Sequence, residues 1–330
     1  MDPAMKTAHL VDPELRPLLD LMPERVLAAS VLPAMREQRQ TAALESLSQD
    51  DGLPVTVSQH HISGGENAPA VRVVVISPQH ERKGRMGILH IHGGGYVLGS
   101  PEQSMPLTRP TTAQHDCVIV SVDYRLAPET PFPGPLEDCY AALIWMTAQA
   151  EVLGIDPAHI GVMGDSAGAG LAASLALLTR DRGGPTLAFQ NLMYPMLDDR
   201  TVTDPNPNPV TGEFSWTRED NRFGWHAYLG HEAGLPDISC YAAAARAEDL
   251  SGLPPAWIGV GSIDLFLDEN IDYARRLIRA GVPVEFSIYP GGFHGFNGDP
   301  AYALARRARK QRQDALAGFN PLRHYHDFGL

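Results

Sequence analysis

Ser166 carries the first chemical signal in the chain. It stands in Gly164-Asp165-Ser166-Ala167-Gly168, after a short apolar run at 159–163 and before helix-forming residues at 169–178. A strand, a sharp G-x-S-x-G turn and a helix present a serine hydroxyl at a helix N-terminus, and the glycines permit both the turn and close packing of helix on strand. The chemistry open to such a hydroxyl is nucleophilic attack, provided that a base lies within hydrogen-bond reach to take its proton. The motif alone is weak evidence, because it arises by chance in chains rich in Gly and Ala. A second feature lies upstream: His92-Gly93-Gly94-Gly95-Tyr96 follows an apolar run at 86–91. Three glycines let a backbone turn tightly and leave its N–H groups open to a ligand. Such a loop beside a serine turn can hold the oxyanion of a tetrahedral intermediate.

Acyl chemistry at Ser166 needs two more groups, an acid and a histidine, in the chain order serine, acid, histidine. The apolar run 256–261 leads to Asp264, and Val284–Tyr289 leads through Pro290-Gly-Gly-Phe to His294. Both residues fall just past the C-terminal end of a predicted strand, where open α/β sheets bind their ligands.

His92-Gly-Gly-Gly95, Asp123-Tyr-Arg-Leu-Ala-Pro-Glu129, Gly164-Asp-Ser-Ala-Gly168, Asp264-Leu-Phe-Leu-Asp-Glu269 and His294-Gly-Phe296 occur in this order. In order and spacing the chain resembles the hormone-sensitive-lipase-like branch of the α/β-hydrolases, the bacterial family IV carboxylesterases, over about residues 55–320. The resemblance implies a serine carboxylesterase acting on short- to medium-chain esters through an acyl-serine intermediate. It assigns Ser166 as nucleophile, His294 as base and Asp264 as acid, with an oxyanion hole from the N–H groups of Gly94, Gly95 and Ala167. Leu265 stands where many members have proline, so Asp268 is a second candidate acid; the resemblance favours Asp264, since the later aspartate normally begins the following helix. A catalytically silent ligand-binding protein on the same fold is the main alternative, and His294 in its setting counts against it. A lactonase, amidase or acyltransferase would use the same triad.

The elements that must position these residues alternate. Strands are expected at Val55–Ile62, 71–77, 86–90, 118–122, 160–163, 189–194, 256–260 and Val284–Tyr289, with helices at 136–150, 166–180, 269–280 and 301–317. Such alternation predicts an α/β fold: a mostly parallel eight-stranded sheet flanked by helices. Two segments break the pattern, the helical-looking residues 1–54 and an insert at 198–241. The resemblance makes these the two parts of a helical cap over core segments 55–197 and 242–330. The insert opens on alternating prolines at Asp204-Pro-Asn-Pro-Asn-Pro209. It then carries Phe214, Trp216, Phe223, Trp225 and Tyr228 in an expected helix, with Thr217 as candidate N-cap. Tyr96, Phe214, Trp216 and Trp225 are the candidate substrate-pocket residues, although aromatics of this kind can equally tie an insert to its core.

A formal net charge of −13 argues against a nucleic-acid partner. The basic run Arg306-Arg307-Ala-Arg309-Lys310-Gln-Arg312 then reads as a solvated helix face. Three scattered cysteines, Cys117, Cys139 and Cys240, suggest free thiols in a reducing compartment. With no signal-peptide pattern and no apolar run long enough to cross a membrane, the cytoplasm is the default location. His90 and His92 alternate at a strand end, but no third ligand falls at a familiar spacing, so neither a metal nor a cofactor is expected. The expected partner is a small ester, and an unpaired edge strand near Val284 leaves a homodimer open. Asp165 and the 123–129 loop are expected to orient the site; nothing assigns a role to His324 and His326 in the tail.

Overall fold

The computed structural model describes residues 6–22, 27–47, 51–65 and 68–320, so the tail with His324 and His326 lies outside the described residues. Eight strands form one sheet: β1 (Val55–Ile62), β2 (Val71–Pro78), β3 (Arg85–Ile91), β4 (Val118–Asp123), β5 (Ile155–Asp165), β6 (Gln190–Met193), β7 (Ala256–Gly261) and β8 (Val284–Tyr289). Their order is β1-β2-β4-β3-β5-β6-β7-β8. β2 runs antiparallel to both β1 and β4, and every later pairing is parallel. β3, β6 and β7 are buried along their whole length, which is why β3 and β7 read as mainly apolar runs rather than as alternation. β1 and β8 are the edges.

Among the described residues eight α-helices flank the sheet or its connections: α1 (Leu32–Leu47), α2 (Met105–His115), α3 (Gly134–Ala148), α4 (Ala150–Leu153), α5 (Ala167–Asp181), α6 (Arg218–Leu229), α7 (Leu267–Arg279) and α8 (Ala303–Phe319). The N-terminal region is less helical than its composition suggests. It forms short 3-10 turns at Ala8–Leu10 and Arg16–Leu21 before α1, and Pro13 and Pro17 lack the N–H groups that a longer helix would use. Helix α2 is absent from the sequence expectations, and its Pro110 is unfavourable in a helix interior. Its stability comes from packing, with Met105, Thr108, Thr111 and Thr112 buried. Thr217 is the N-cap of α6, as predicted, and it forms a full capping box with Asp220. Phe214 and Trp216, expected inside that helix, instead precede it.

The sheet brings the chemistry to one edge. The triglycine follows β3, Ser166 sits between β5 and α5, Asp264 follows β7 and His294 follows β8. The N-terminal segment reaches the insert directly: the backbone N–H groups of Lys6 and Thr7 each donate to the Glu213 carboxylate at 2.7 Å, and the Thr7 hydroxyl bonds to it as well.

His90, on β3 behind this edge, is fully buried with Nδ1 2.8 Å from Ser121 Oγ. Burial pushes its imidazole down to about 3. As pH falls below about 6.5 the unfolded chain gains a proton that folded His90 refuses, so stability drops by up to about 1.4 kcal/mol per pH unit until the folded group titrates. His90→Gln is therefore expected to flatten the fall in Tm between pH 6.5 and 4. An equal slope in both proteins would show that burial does not lower the proton affinity of His90.

Candidate active site

Ser166 adopts φ 57° and ψ −123° at the N-terminus of α5. Its N–H donates to Met193 O at 2.9 Å, and its carbonyl accepts from Gly170 N at 2.9 Å and Met196 N at 3.1 Å. The turn is thus held by backbone bonds on both sides. A side chain at Gly168 would collide with the carbonyl oxygens of Ile91 and His92, so the helix can approach the end of β3 only because that residue is glycine. Among the described residues five non-glycine residues have positive φ, and four of them, Tyr96, Ser166, Tyr194 and Ser215, flank this site. Each such conformation costs about 1–3 kcal/mol and persists only where the surrounding structure holds it.

His294 Nε2 lies 2.9 Å from Ser166 Oγ, and its Nδ1 lies 2.9 Å from Asp264 Oδ2. Because a carboxylate only accepts, Nδ1 carries the proton toward Asp264 and Nε2 is left to accept from the serine hydroxyl. The second oxygen of Asp264 accepts from Phe266 N at 2.9 Å. Asp264 is fully buried, whereas Ser166 and His294 are each 7 % exposed. Asp268, the second candidate, is exposed and accepts from Asn208 Nδ2 at 3.2 Å. The imidazole is walled by aromatic rings, with centroid distances of 4.5 Å to Tyr194, 5.1 Å to Phe266 and 6.4 Å to Trp216.

Gly94 turns the triglycine loop with φ 126°, a conformation that L side chains rarely adopt. Among the described residues the backbone N–H groups of Gly94, Gly95 and Ala167 donate to no protein acceptor. Ala167 opens α5, so its free N–H adds the positive end of a helix dipole to that set. His92 lies beneath the loop, stacked on Tyr124 at 4.2 Å with Nδ1 2.9 Å from Gly93 O, and burial pushes its imidazole below the usual histidine range. Among the described residues no group of three or more His, Cys, Asp and Glu side chains could hold a metal.

The four candidate pocket aromatics separate. A side chain at Gly95 would collide with the Trp216 indole, whose Nε1 donates to Asn221 Oδ1 at 3.1 Å. Phe214 lies edge-on to Phe293, centroids 6.3 Å apart. Tyr96 and Trp225 are fully buried in the seam of insert and core, with centroids 5.4 Å apart, and Tyr96 stacks on Tyr228 at 3.9 Å. An open surface cavity of about 450 Å³, walled by Tyr140, Ile144, Trp145 and Arg182, includes none of the three relay residues.

The charged residues of the 123–129 loop are all paired: Asp123 with Arg72 at 2.8 Å, Arg125 with buried Asp138 at 2.7 Å, and Glu129 with Arg36 at 2.8 Å. Arg36 also donates to Val97 O at 2.9 Å and Ala127 O at 2.8 Å, tying this loop to the one after the triglycine. The basic run on α8 departs from expectation. Arg306, Arg307 and Lys310 are exposed, but Arg312 is fully buried and forms an ion pair with Asp165 at 2.8 Å. Its position was readable from the helical spacing, because residues 305, 308, 312 and 315 share the buried stripe of α8.

A family model described as the alpha/beta hydrolase fold matches residues 88–298, from β3 to the loop beyond His294. The chain belongs to this family. Within it the chain lies in the hormone-sensitive-lipase-like branch. It is 36% identical to carboxylesterase NlhH of Mycobacterium tuberculosis over 293 residues, covering 87% of this chain and 88% of that protein. Esterase LipI of the same species is 33% identical over 290 residues, covering 87% of this chain and 88% of its own. Among solved structures a bacterial heroin esterase aligns with a TM-score of 0.89 at 37% identity, covering 95% of this chain and 99% of that one. The family match ends before α8, so Arg312 lies outside it.

Proposed function

We propose that the protein is a serine carboxylesterase in which Ser166, His294 and Asp264 form the catalytic triad. The observation that carries this reading is the unbroken relay from the serine hydroxyl through both imidazole nitrogens to a buried carboxylate. Ser166 Oγ attacks the ester carbonyl while His294 Nε2 takes its proton, then returns it to the departing alcohol. Asp264 holds the imidazole tautomer and stabilises the imidazolium without itself becoming protonated. The N–H groups of Gly94, Gly95 and Ala167 receive the oxyanion, and water reverses the sequence on the acyl-serine. The names of the relatives, carboxylesterase and esterase, support ester hydrolysis as the reaction class.

In this reading segments 1–54 and 198–241 form the cap over core segments 55–197 and 242–330, with residues 1–5, 23–26, 48–50, 66–67 and 321–330 outside the described set. The bonds from Lys6 and Thr7 to Glu213 support a cap built from both segments. Trp216, pressed on Gly95 and braced by Asn221, closes the space beside the oxyanion loop and favours short to medium acyl chains. Rates on p-nitrophenyl acetate, butyrate, hexanoate and palmitate should therefore peak at butyrate or hexanoate, and an optimum at palmitate would overturn the chain-length assignment. Paraoxon should add one phosphoryl group, at Ser166 when the peptide is mapped. Labelling elsewhere would overturn the triad.

A further inference from the structure

Burying a guanidinium is costly unless its charge and its donors are met, yet Arg312 is fully buried on the inner face of α8. Its three hydrogen bonds go to the serine turn and to the strand beside it. Nη1 donates to Asp165 Oδ1 at 2.8 Å, Nη2 to Gly164 O at 3.0 Å, and Nε to Asn191 Oδ1 on β6 at 2.6 Å. One helical turn earlier, half-buried Arg309 faces the other half of the relay. Its Nε donates to Asn297 O at 2.7 Å, and its Nη2 donates to Gly298 O. Asn297 in turn accepts from the Tyr194 hydroxyl at 2.6 Å, and the Tyr194 ring lies 4.5 Å from the His294 imidazole. Helix α8 is itself anchored at two points: its Ala303 N–H donates to Glu14 at 2.7 Å, and Gln313 donates to Thr111 on α2 at 2.9 Å.

We infer that α8 is a clamp, with Arg312 holding the nucleophile turn and Arg309 holding the loop of the base, so that one helix sets the separation of Ser166 from His294. The two arginines are positioning residues and touch no substrate; the inference rests on the serine-esterase reading above. It explains why a charge is buried where an apolar side chain would pack: Gly164 O and Asp165 belong to a strained turn, and the guanidinium fork fixes both at once. A displacement of about 1 Å between reacting groups can cost about 10²-fold in rate, so the clamp acts on kcat rather than on substrate affinity.

The test replaces Arg312 by Met together with Asp165→Asn, which leaves no stranded charge. Arg309→Met and Arg312→Lys are made alongside, with exposed Lys310→Met as the control. Tm, kcat and KM on p-nitrophenyl butyrate and the rate of paraoxon labelling are measured for each. The expected result is a fall in kcat of about 10–100-fold for the double variant and for Arg309→Met. KM should stay within about two-fold, labelling should slow in parallel, Arg312→Lys should recover part of the rate, and Lys310→Met should match the parent. Unchanged kcat in folded variants would overturn the clamp while parental labelling at Ser166 leaves the esterase reading standing. Activity lost only in step with Tm, or KM rising alone, would likewise overturn it by assigning the arginines to fold or binding. A parent protein that neither hydrolyses the ester nor takes the label would overturn the esterase reading, and the clamp with it.

Discussion

Ser166→Ala is expected to give a folded protein whose kcat on p-nitrophenyl butyrate is lower by about 10⁵–10⁶-fold, the scale seen when a triad serine is removed from a serine hydrolase. The substitution takes away one oxygen and nothing else. Alanine keeps the Cβ, so the strain at φ 57° is neither added nor relieved. The backbone bonds to Met193, Gly170 and Met196 are also unaffected. What is lost to the fold is a single hydrogen bond to His294, worth about 1 kcal/mol. The change in Tm should therefore be small, and circular dichroism should overlay that of the parent. Residual activity of about 10³–10⁴ over water can survive from the oxyanion donors and binding alone, so the assay must resolve slow turnover. Full activity in a folded Ser166→Ala protein would place the chemistry elsewhere and overturn the triad.

The relay was legible in the sequence because each of its members sits at a junction that local rules mark. Gly164 and Gly168 announce a turn that no other residue type tolerates, and the apolar runs before Asp264 and His294 end where the strands end. Thr217 announced α6 through its capping side chain. The misses have two causes: α2 and Tyr194 depend on packing between segments far apart in the chain, whereas Phe214, Trp216 and Arg312 turn on local backbone and helical spacing. Helix α2 contains two prolines and forms because its threonines and Met105 are buried. The neighbours of Phe214 and Trp216 predict helix, but Ser215 between them takes φ 64° and both lie outside α6. Arg312 lay in a basic run that charge alone assigned to solvent, although the spacing of Ala305, Ala308 and Ala315 points it inward. Tyr194 carried no motif at all; its importance rests on the bond to Asn297 and the contact with His294.

Asp264→Asn should lower kcat by about 10⁴-fold with KM nearly unchanged, as when the acid of a serine protease triad is made an amide. The local bonds predict this outcome. Phe266 N–H donates to Asp264 Oδ1, and Oδ2 faces His294 Nδ1. An asparagine in the same place must keep its oxygen toward Phe266, because a backbone N–H cannot accept, and so its NH₂ group is turned to His294. Nδ1 is then forced to accept, the ring proton moves to Nε2, and the base presents a donor to Ser166 instead of a lone pair. Position, volume and packing are all kept, so the loss isolates the tautomer from the fold. Asp268→Asn supplies the contrast. That carboxylate is exposed and bonded to Asn208, so kcat should stay within about two-fold, as for a surface substitution away from the chemistry. The reverse pattern, activity kept in Asp264→Asn and lost in Asp268→Asn, would make Asp268 the acid and would require the loop after β7 to rearrange before the enzyme turns over.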